Sequence, residues 1–281
     1  MKEALLQMQN VCYKYSNEKY ALKNINVAIY KGEKIAVLGS NGSGKSTFFL
    51  NCNGVYTPCC GNIYYRQEKI TYTKKCLANL RKNVGLVFQE PDNQIIASTV
   101  FGEVSFGPNN LKLDKNEVAA RTEKAIDIMN LTGMKNLPPH YLSGGEKKRV
   151  CIADILAMHP EIILFDEPAA FLDPINAQML ENTLAKLCDD GITVVVSTHD
   201  VDFAYRWASR IIVFNAGEIM ADGTPEQIFD DDELINKCGL KKPMLYEIVE
   251  IVEKSNGGKN IKSMPKNISE FKKYMESKYA E

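Results

Sequence analysis

"KIAVLGSNGSGKSTFFLNCNG", residues 34–54, decides how the rest of the chain is read. The run Ile35–Leu38 is apolar and has the length of a buried strand. The run that follows Gly44 reads as a helix closed by Gly54. Between them Gly39, Ser40, Asn41, Gly42, Ser43, Gly44, Lys45 and Ser46 fit the spacing G-x-x-x-x-G-K-[ST]. Closely spaced glycines let successive backbone N–H groups wrap around phosphate oxygens, and the dipole of the following helix adds to that attraction. Lys45 is placed to reach the β- and γ-phosphates and Ser46 to put its hydroxyl on Mg²⁺. A strand before the loop and a helix after it make a chance glycine-rich turn a poor alternative.

Working outward, three more strands are expected to end in polar residues at the same rim. "IILFDEP" delivers Asp166 and Glu167 to the carboxyl end of a buried strand, where ligands bind in open α/β sheets. Adjacent carboxylates repel unless a cation is near. Asp166 therefore suits Mg²⁺, and Glu167 suits a general base orienting an attacking water. "VGLVFQ" ends on Gln89 and "TVVVSTH" on His199. Four parallel strands offering polar groups on one rim are what a γ-phosphate site requires.

The remaining chain supplies a frame for that rim. "LLQMQNVCYKY" and "ALKNINVAIY" alternate apolar and polar residues around the turn "SNEK", and "GNIYYRQEKITY" reads as a further hairpin. From about 98 to 160 the pattern turns helical, with Val118, Ala119, Ala125, Ile126 and Met129 expected on one helix face. Sheet-type sequence then resumes, alternating with helices through "RIIVFN", which argues for a parallel sheet covered on both faces. Residues 1–238 are expected to form this domain. Residues 239–281 are expected to form a small helical appendage, with "MLYEIVEIVEK" and "ISEFKKYMESK" as helices around a flexible "SNGGKN".

Bulk properties narrow the function. The 281 residues carry a formal net charge of -1, with 45% hydrophobic and 25% charged residues. That balance offers no global attraction to nucleic acid or acidic lipid. No apolar run approaches the roughly 20 residues of a membrane span, and the first residues lack a signal-peptide core. The expectation is a cytosolic chain that meets a membrane only through partners. The eight cysteines show no C-x-x-C pair, so scattered free thiols fit better than a zinc site.

A second glycine-rich loop stands in the helical region: "LSGGEKKR", from Leu142. Ser143 and Glu146 read as a capping box that opens a helix. Two glycines are more than a cap needs and are poor helix formers; they suit a close approach to the backbone.

Together these residues resemble the ATP-binding cassette (ABC) family over roughly 5–232, with a P-loop NTPase fold of α/β class. The resemblance implies an N-terminal antiparallel β subdomain, a parallel-sheet core, an inserted helical subdomain and the C-terminal appendage. It makes Gly39 to Thr47 ATP-binding, Gln89 the Q-loop glutamine that joins Ser46 and Asp166 at Mg²⁺, "LSGGE" the signature, "FLDP" the D-loop and His199 the switch histidine. Tyr15 matches the aromatic position that stacks on adenine. In the family's head-to-tail ATP sandwich, Ser143, Gly144 and Gly145 would act in trans, and Asp173 would contact the facing subunit. "QEPDNQ", "TVFGEVSFGPNNL", "KKRVCIADILAMHP" and "THDVDFAYRWASRIIVFNAGEIMADGTP" look like the energy-coupling-factor branch, most like its cobalt importer ATPases.

The implied function is ATP hydrolysis that energises import. The implied partners are a second ATPase subunit, identical or paralogous, a transmembrane coupling subunit and a substrate-binding membrane subunit, at the cytoplasmic face of the membrane. A shared vitamin-import ATPase is the alternative within the class; a soluble cassette protein of DNA repair or translation is the alternative outside it. The sequence departs from the family pattern at Glu146, where glutamine is commoner, and at Ala169 and Phe171 in "PAAFLDP". Glu90 and Asp92 are expected at the surface facing the membrane partner.

Overall fold

The computed structural model describes residues 4–16, 19–170, 172–255 and 264–279. The readings made at Phe171 and across most of "SNGGKN" fall outside them. The chain begins with β1 (Ala4–Lys14), β2 (Tyr20–Tyr30), β3 (Lys34–Leu38), α1 (Lys45–Cys52), β4 (Cys60–Tyr65), β5 (Glu68–Lys69), α2 (Lys74–Asn83) and β6 (Val84–Val87). Three helices follow: α3 (Val100–Asn110), α4 (Lys115–Ile128) and α5 (Gly144–Ala157). The alternation resumes with β7 (Ile162–Asp166), α6 (Pro174–Asp189), β8 (Thr193–Thr198), α7 (Val201–Trp207), β9 (Arg210–Asn215) and β10 (Glu218–Gly223). Four helices close the chain: α8 (Pro225–Phe229), α9 (Asp232–Cys238), α10 (Met244–Ser255) and α11 (Ile268–Tyr279).

The strands form two sheets. β2-β1-β4-β5 is antiparallel. In the second sheet, β10-β9-β3-β8-β7-β6, all neighbours are parallel except β10, which lies antiparallel on β9 at the edge. Period-two alternation explains why the central strands are apolar throughout. Ile35 and Val37 of β3, Ile162 and Leu164 of β7, and Ile212 and Phe214 of β9 point to one face, where α1 and the antiparallel sheet cover them. Ile163 and Phe165 of β7 and Val194 and Val196 of β8 point the other way, into a core shared with α3 to α6. Ala36, Leu38, Ile211 and Val213 also face that side, under α7 to α10.

The helical region differs from its expected pattern in one place. On α4 the buried residues are Val118, Thr122, Ala125 and Ile126, with Met129 just beyond, while Ala119 is exposed. Spacings of four, three and one keep 118, 122, 125 and 126 on one stripe, and residue 119 turns about 100° away from 118. Hydrophobic content alone misplaced the alanine. β10 had no counterpart among the expected elements, because its burial is only partial and its pairing with β9 is interrupted between Ile219 and Ala221.

The tail is docked on the core. Tyr246 of α10 is buried against Tyr205 and Phe229, and the Tyr205 hydroxyl donates to the Pro265 carbonyl (3.3 Å). α9 ends at Gly239, which adopts the left-handed conformation (φ 63°) that glycine accepts readily.

Candidate nucleotide site

The turn after β3 is tight enough to demand glycine at its first position. A Cβ on Gly39 would lie 2.4 Å from the Phe214 carbonyl oxygen and 2.6 Å from the Ser43 hydroxyl. Its N-cap, Gly44, has no side chain to satisfy the first N–H groups of α1, so the helix opens with donors facing the cleft. Lys45 is buried at the start of that helix, its Nζ donating to the carbonyls of Gly39 (2.8 Å) and Ser40 (3.3 Å). Ser46 is exposed and Thr47 buried on the same turn.

β7 and β8 bring the carboxylates beside this loop. Asp166 is buried and its Oδ1 accepts from the Ser197 hydroxyl at 2.6 Å. The Glu167 N–H in turn donates to Ser197 Oγ (3.0 Å) and to the Ser197 carbonyl (3.2 Å). Glu167 itself is held in the left-handed region (φ 44°), a conformation costing about 1–2 kcal/mol for a non-glycine residue and found disproportionately at functional sites. Its Oε2 lies 2.9 Å from His199 Nδ1 and its Oε1 3.6 Å from Lys45 Nζ. Oε1 is buried and makes no hydrogen bond among the described residues. Such an oxygen at a cleft wall is a place for a ligand's proton or a water.

A cleft of about 850 Å³ gathers the loop and the strand-end groups, with Asp166 not among its lining residues. Tyr15, Asn41, Gly42, Ser43, Gly44, Lys45, Ser46, Thr47, Gln89, Glu167 and His199 all border it. Gly39 and Ser40 do not line it, but their carbonyls accept from the Lys45 ammonium, which does.

The signature loop does not join them. Ser143 caps α5 with a complete capping box: the Ser143 N–H (2.7 Å) and hydroxyl (2.8 Å) both donate to Glu146 Oε2, and the Glu146 N–H donates back to Ser143 Oγ (3.3 Å). These bonds hold the Glu146 carboxyl below its ordinary pKa. The two glycines have different local settings. A Cβ on Gly144 would meet nothing within 4 Å, whereas one on Gly145 would strike the Asn176 side chain at 2.8 Å. Gly145 therefore has a packing reason inside its own chain, which the expectation of a close ligand approach overlooked. Asp173 caps α6 through Asn176 (2.9 Å to its N–H) and stays exposed.

A sequence model of the family described as "ABC transporter" matches residues 22–170. The chain is 42% identical over 273 residues to "Energy-coupling factor transporter ATP-binding protein EcfA" of Methanococcus maripaludis, covering 95% of this chain and 98% of that one. Its identity to the protein of the same name from Methanocaldococcus jannaschii is 44% over 252 residues, 90% of each. The chain belongs to the ABC transporter family. Among solved structures, it resembles CbiO1 from Clostridium perfringens, described as part of the ABC transporter complex CbiONQ. There the TM-score is 0.75 at 37% identity, over 90% of this chain and all of that one. A dimeric post-hydrolysis structure of the ATP-binding cassette MJ0796 with ADP and Pi gives a TM-score of 0.70 at 34% identity, over 78% and 98%. The chain is thus an energy-coupling factor transporter ATPase subunit, with the fold of an ABC cassette.

Two features of this ATPase were not visible in its sequence. Tyr15, 46% exposed, donates to or accepts from Thr47 Oγ1 (2.8 Å), and its ring meets Tyr13 and Tyr56 edge-on while those two stack on each other at 4.7 Å. Tyr13 is two residues away and Tyr56 is forty-one away, so only folding assembles the trio. The acidic pair expected to face a membrane partner is also engaged locally. Asp92 pairs with Lys147 of α5 (2.7 Å), and Glu90 accepts from Asn93 Nδ2 (3.1 Å). No helix among the described residues is long and apolar enough to cross a membrane.

Proposed function

We propose that this ATPase energises import of a metal ion, cobalt above others, as one of two head-to-tail cassettes seated on membrane subunits. The observation that carries the paired state is the separation of the two loops. Residues 41–47, Gln89, Glu167 and His199 line one cleft, while Ser143 and Gly144 stand exposed outside it. A site using both loops is completed by a second subunit, identical or paralogous, whose Ser143, Gly144 and Gly145 cover the γ-phosphate and whose Asp173 faces this chain.

Within the cleft, Glu167 takes the proton of the attacking water, with His199 holding its second oxygen. Lys45 and the open N–H groups of α1 hold the phosphates, and Tyr15 stacks on adenine. The chemistry of the donor set fits Mg²⁺: Ser46, Gln89 and Asp166 would hold it, and when bound it neutralises charge on the phosphate oxygens. The unbonded Glu167 Oε1 and the glycine-lined turn fit a water and a triphosphate.

Residues 1–238 form the catalytic unit, with the helical insertion at about 98–160, and residues 239–281 help pair subunits. The exposed apolar residues Met244, Ile248 and Ile251, spaced four and three apart on α10, support that role. The likeness to CbiO1 and the segments "FGPNN" and "DVDFAYRWA" favour cobalt as cargo. A transmembrane coupling subunit and a substrate-binding membrane subunit complete the complex at the cytoplasmic face.

The test is uptake of labelled cobalt by cells expressing the chain with the membrane subunits that co-purify with it. Cobalt uptake by the wild type, together with a loss of about a thousandfold in ATP turnover for Glu167→Gln, supports the reading. Vitamin uptake in place of cobalt moves the cargo to the alternative, and unaltered turnover removes Glu167 as the base.

A further inference from the structure

Lys148 stands one turn beyond the signature loop, on α5, and is 2% exposed. Its neighbour Lys147 makes an ordinary surface pair with Asp92. Lys148 instead turns inward, and its Nζ donates to the main-chain carbonyls of Phe88 (2.9 Å) and Gln89 (2.6 Å). Burying an ammonium without a paired carboxylate is costly, and methionine would fill a similar volume without that cost. Burial accordingly lowers the Lys148 pKa, with the Asp166 carboxylate acting in the opposite sense. The two acceptors are the carbonyls that flank the start of the segment whose Gln89 side chain borders the nucleotide cleft.

Further bonds tie the same segment to the same helix. The Gln94 side chain accepts from the Phe88 N–H (3.1 Å) and donates to the Cys151 carbonyl (3.3 Å). The Cys151 thiol lies 3.8 Å from the Pro91 carbonyl oxygen. Residues 88–94 are thereby clamped to α5, and Lys148 is the clamp nearest Gln89.

We propose that Lys148 is a positioning residue for ATP hydrolysis: its bonds to the Phe88 and Gln89 carbonyls hold the Gln89 side chain in the cleft and tie it to the helix that carries the signature loop. The inference rests on Gln89 acting in the hydrolytic site. Through Lys148, a nucleotide engaged by the signature loop and a nucleotide engaged by Gln89 bear on one rigid element. The two belong to different composite sites in the paired state, so Lys148 lies on the physical connection between them.

A double-mutant cycle on the full-length chain, with the subunits that co-purify, separates positioning from mere packing. Lys148→Met is expected to lower kcat by about tenfold to a hundredfold, the scale of a misplaced catalytic group, while the KM for ATP changes by less than about threefold. In a Gln89→Ala background the same change should cost less than about twofold more. Losses that multiply in the double variant, or an unchanged kcat for Lys148→Met alone, overturn the proposal. Should Lys148→Met fail to fold, Lys148→Leu, which likewise has no donor for either carbonyl, takes its place with the same two outcomes. If Gln89→Ala leaves kcat undiminished while the fold is intact, the reading of Gln89 falls first and the inference with it.

Discussion

The phosphate loop and the signature loop both set glycines and a serine at the mouth of a helix, yet they treat that helix end in opposite ways. α1 starts from Gly44, with no side chain on its first N–H groups; α5 starts from Ser143 with both arms of a capping box closed. An uncapped helix end is ready for an anion as it stands, while a capped one must exchange a partner first. The phosphate loop is therefore built to bind within its own chain. The signature loop is at rest when alone, and a phosphate reaching Ser143 competes with Glu146 for the hydroxyl.

Alanine at one glycine of each loop tests that contrast most severely. Gly39→Ala forces a Cβ into the Phe214 carbonyl and should lower ATP affinity by about fivefold to a hundredfold, the equivalent of ~1–3 kcal/mol of such overpacking, as measured by calorimetric titration. Gly144→Ala meets open space and should raise the melting midpoint slightly, since alanine is favoured over glycine in a helix by about 0.5–1 kcal/mol. A loss of ATP-driven pairing in that stable variant would place the role of Gly144 outside its own chain. Retained pairing would break the contrast between the loops.

The bodies of the two helices also differ. α1 carries Lys45 at its start and otherwise buries neutral residues, whereas α5 buries Lys148 and, less than two turns on, carries a half-buried Asp154 whose Oδ1 is shut off from solvent. Burial, with the charge of Glu103 adding to it, pushes the Asp154 carboxyl up from 3.8 to about 7. Between those values the native chain keeps a proton that the unfolded chain has released, so stability falls as pH rises through that window. Asp154→Asn should therefore gain on the wild type from about pH 4 to pH 7 and then hold a constant lead of about 2–4 kcal/mol. Denaturant melts at pH 5 and pH 8 would show the gap; an equal gap at both would remove the titration.

The smallest effect is expected at Glu146. Glu146→Gln keeps an acceptor for the Ser143 N–H but removes the charge, freeing the serine hydroxyl for another anion. ATP-driven pairing should tighten by about twofold to tenfold, the equivalent of one hydrogen bond at ~0.5–1.5 kcal/mol. Sedimentation of wild type and variant with ATP would read it, and unchanged pairing would dismiss competition at Ser143.

Strands with continuous apolar runs were easy to place in the sequence, because burial on both faces leaves little room for polar residues. The site groups at their ends followed, since a parallel sheet lines up the carboxyl ends of its strands. Less was legible where local pattern and tertiary burial diverge. Ala119 was expected in the core and lies in solvent. Ser197 reads as one polar residue in a strand, although it holds both Asp166 and the Glu167 N–H. Asp92 reads as a free surface charge until α5 brings Lys147 to it.

By itself the sequence determined the nucleotide-binding turn, the alternation of strands and helices in the parallel core as far as β9, and the capping box at Ser143, all set by residues within a few positions of one another. Only the tertiary structure decided that Tyr56 stands with Tyr13 beside Tyr15, that Lys148 grips the backbone at Gln89, and that Asn176 of the same chain packs against Gly145. Each of these joins residues some 30 to 60 positions apart, whose meeting depends on how sheets and helices pack, and no local pattern records that distance.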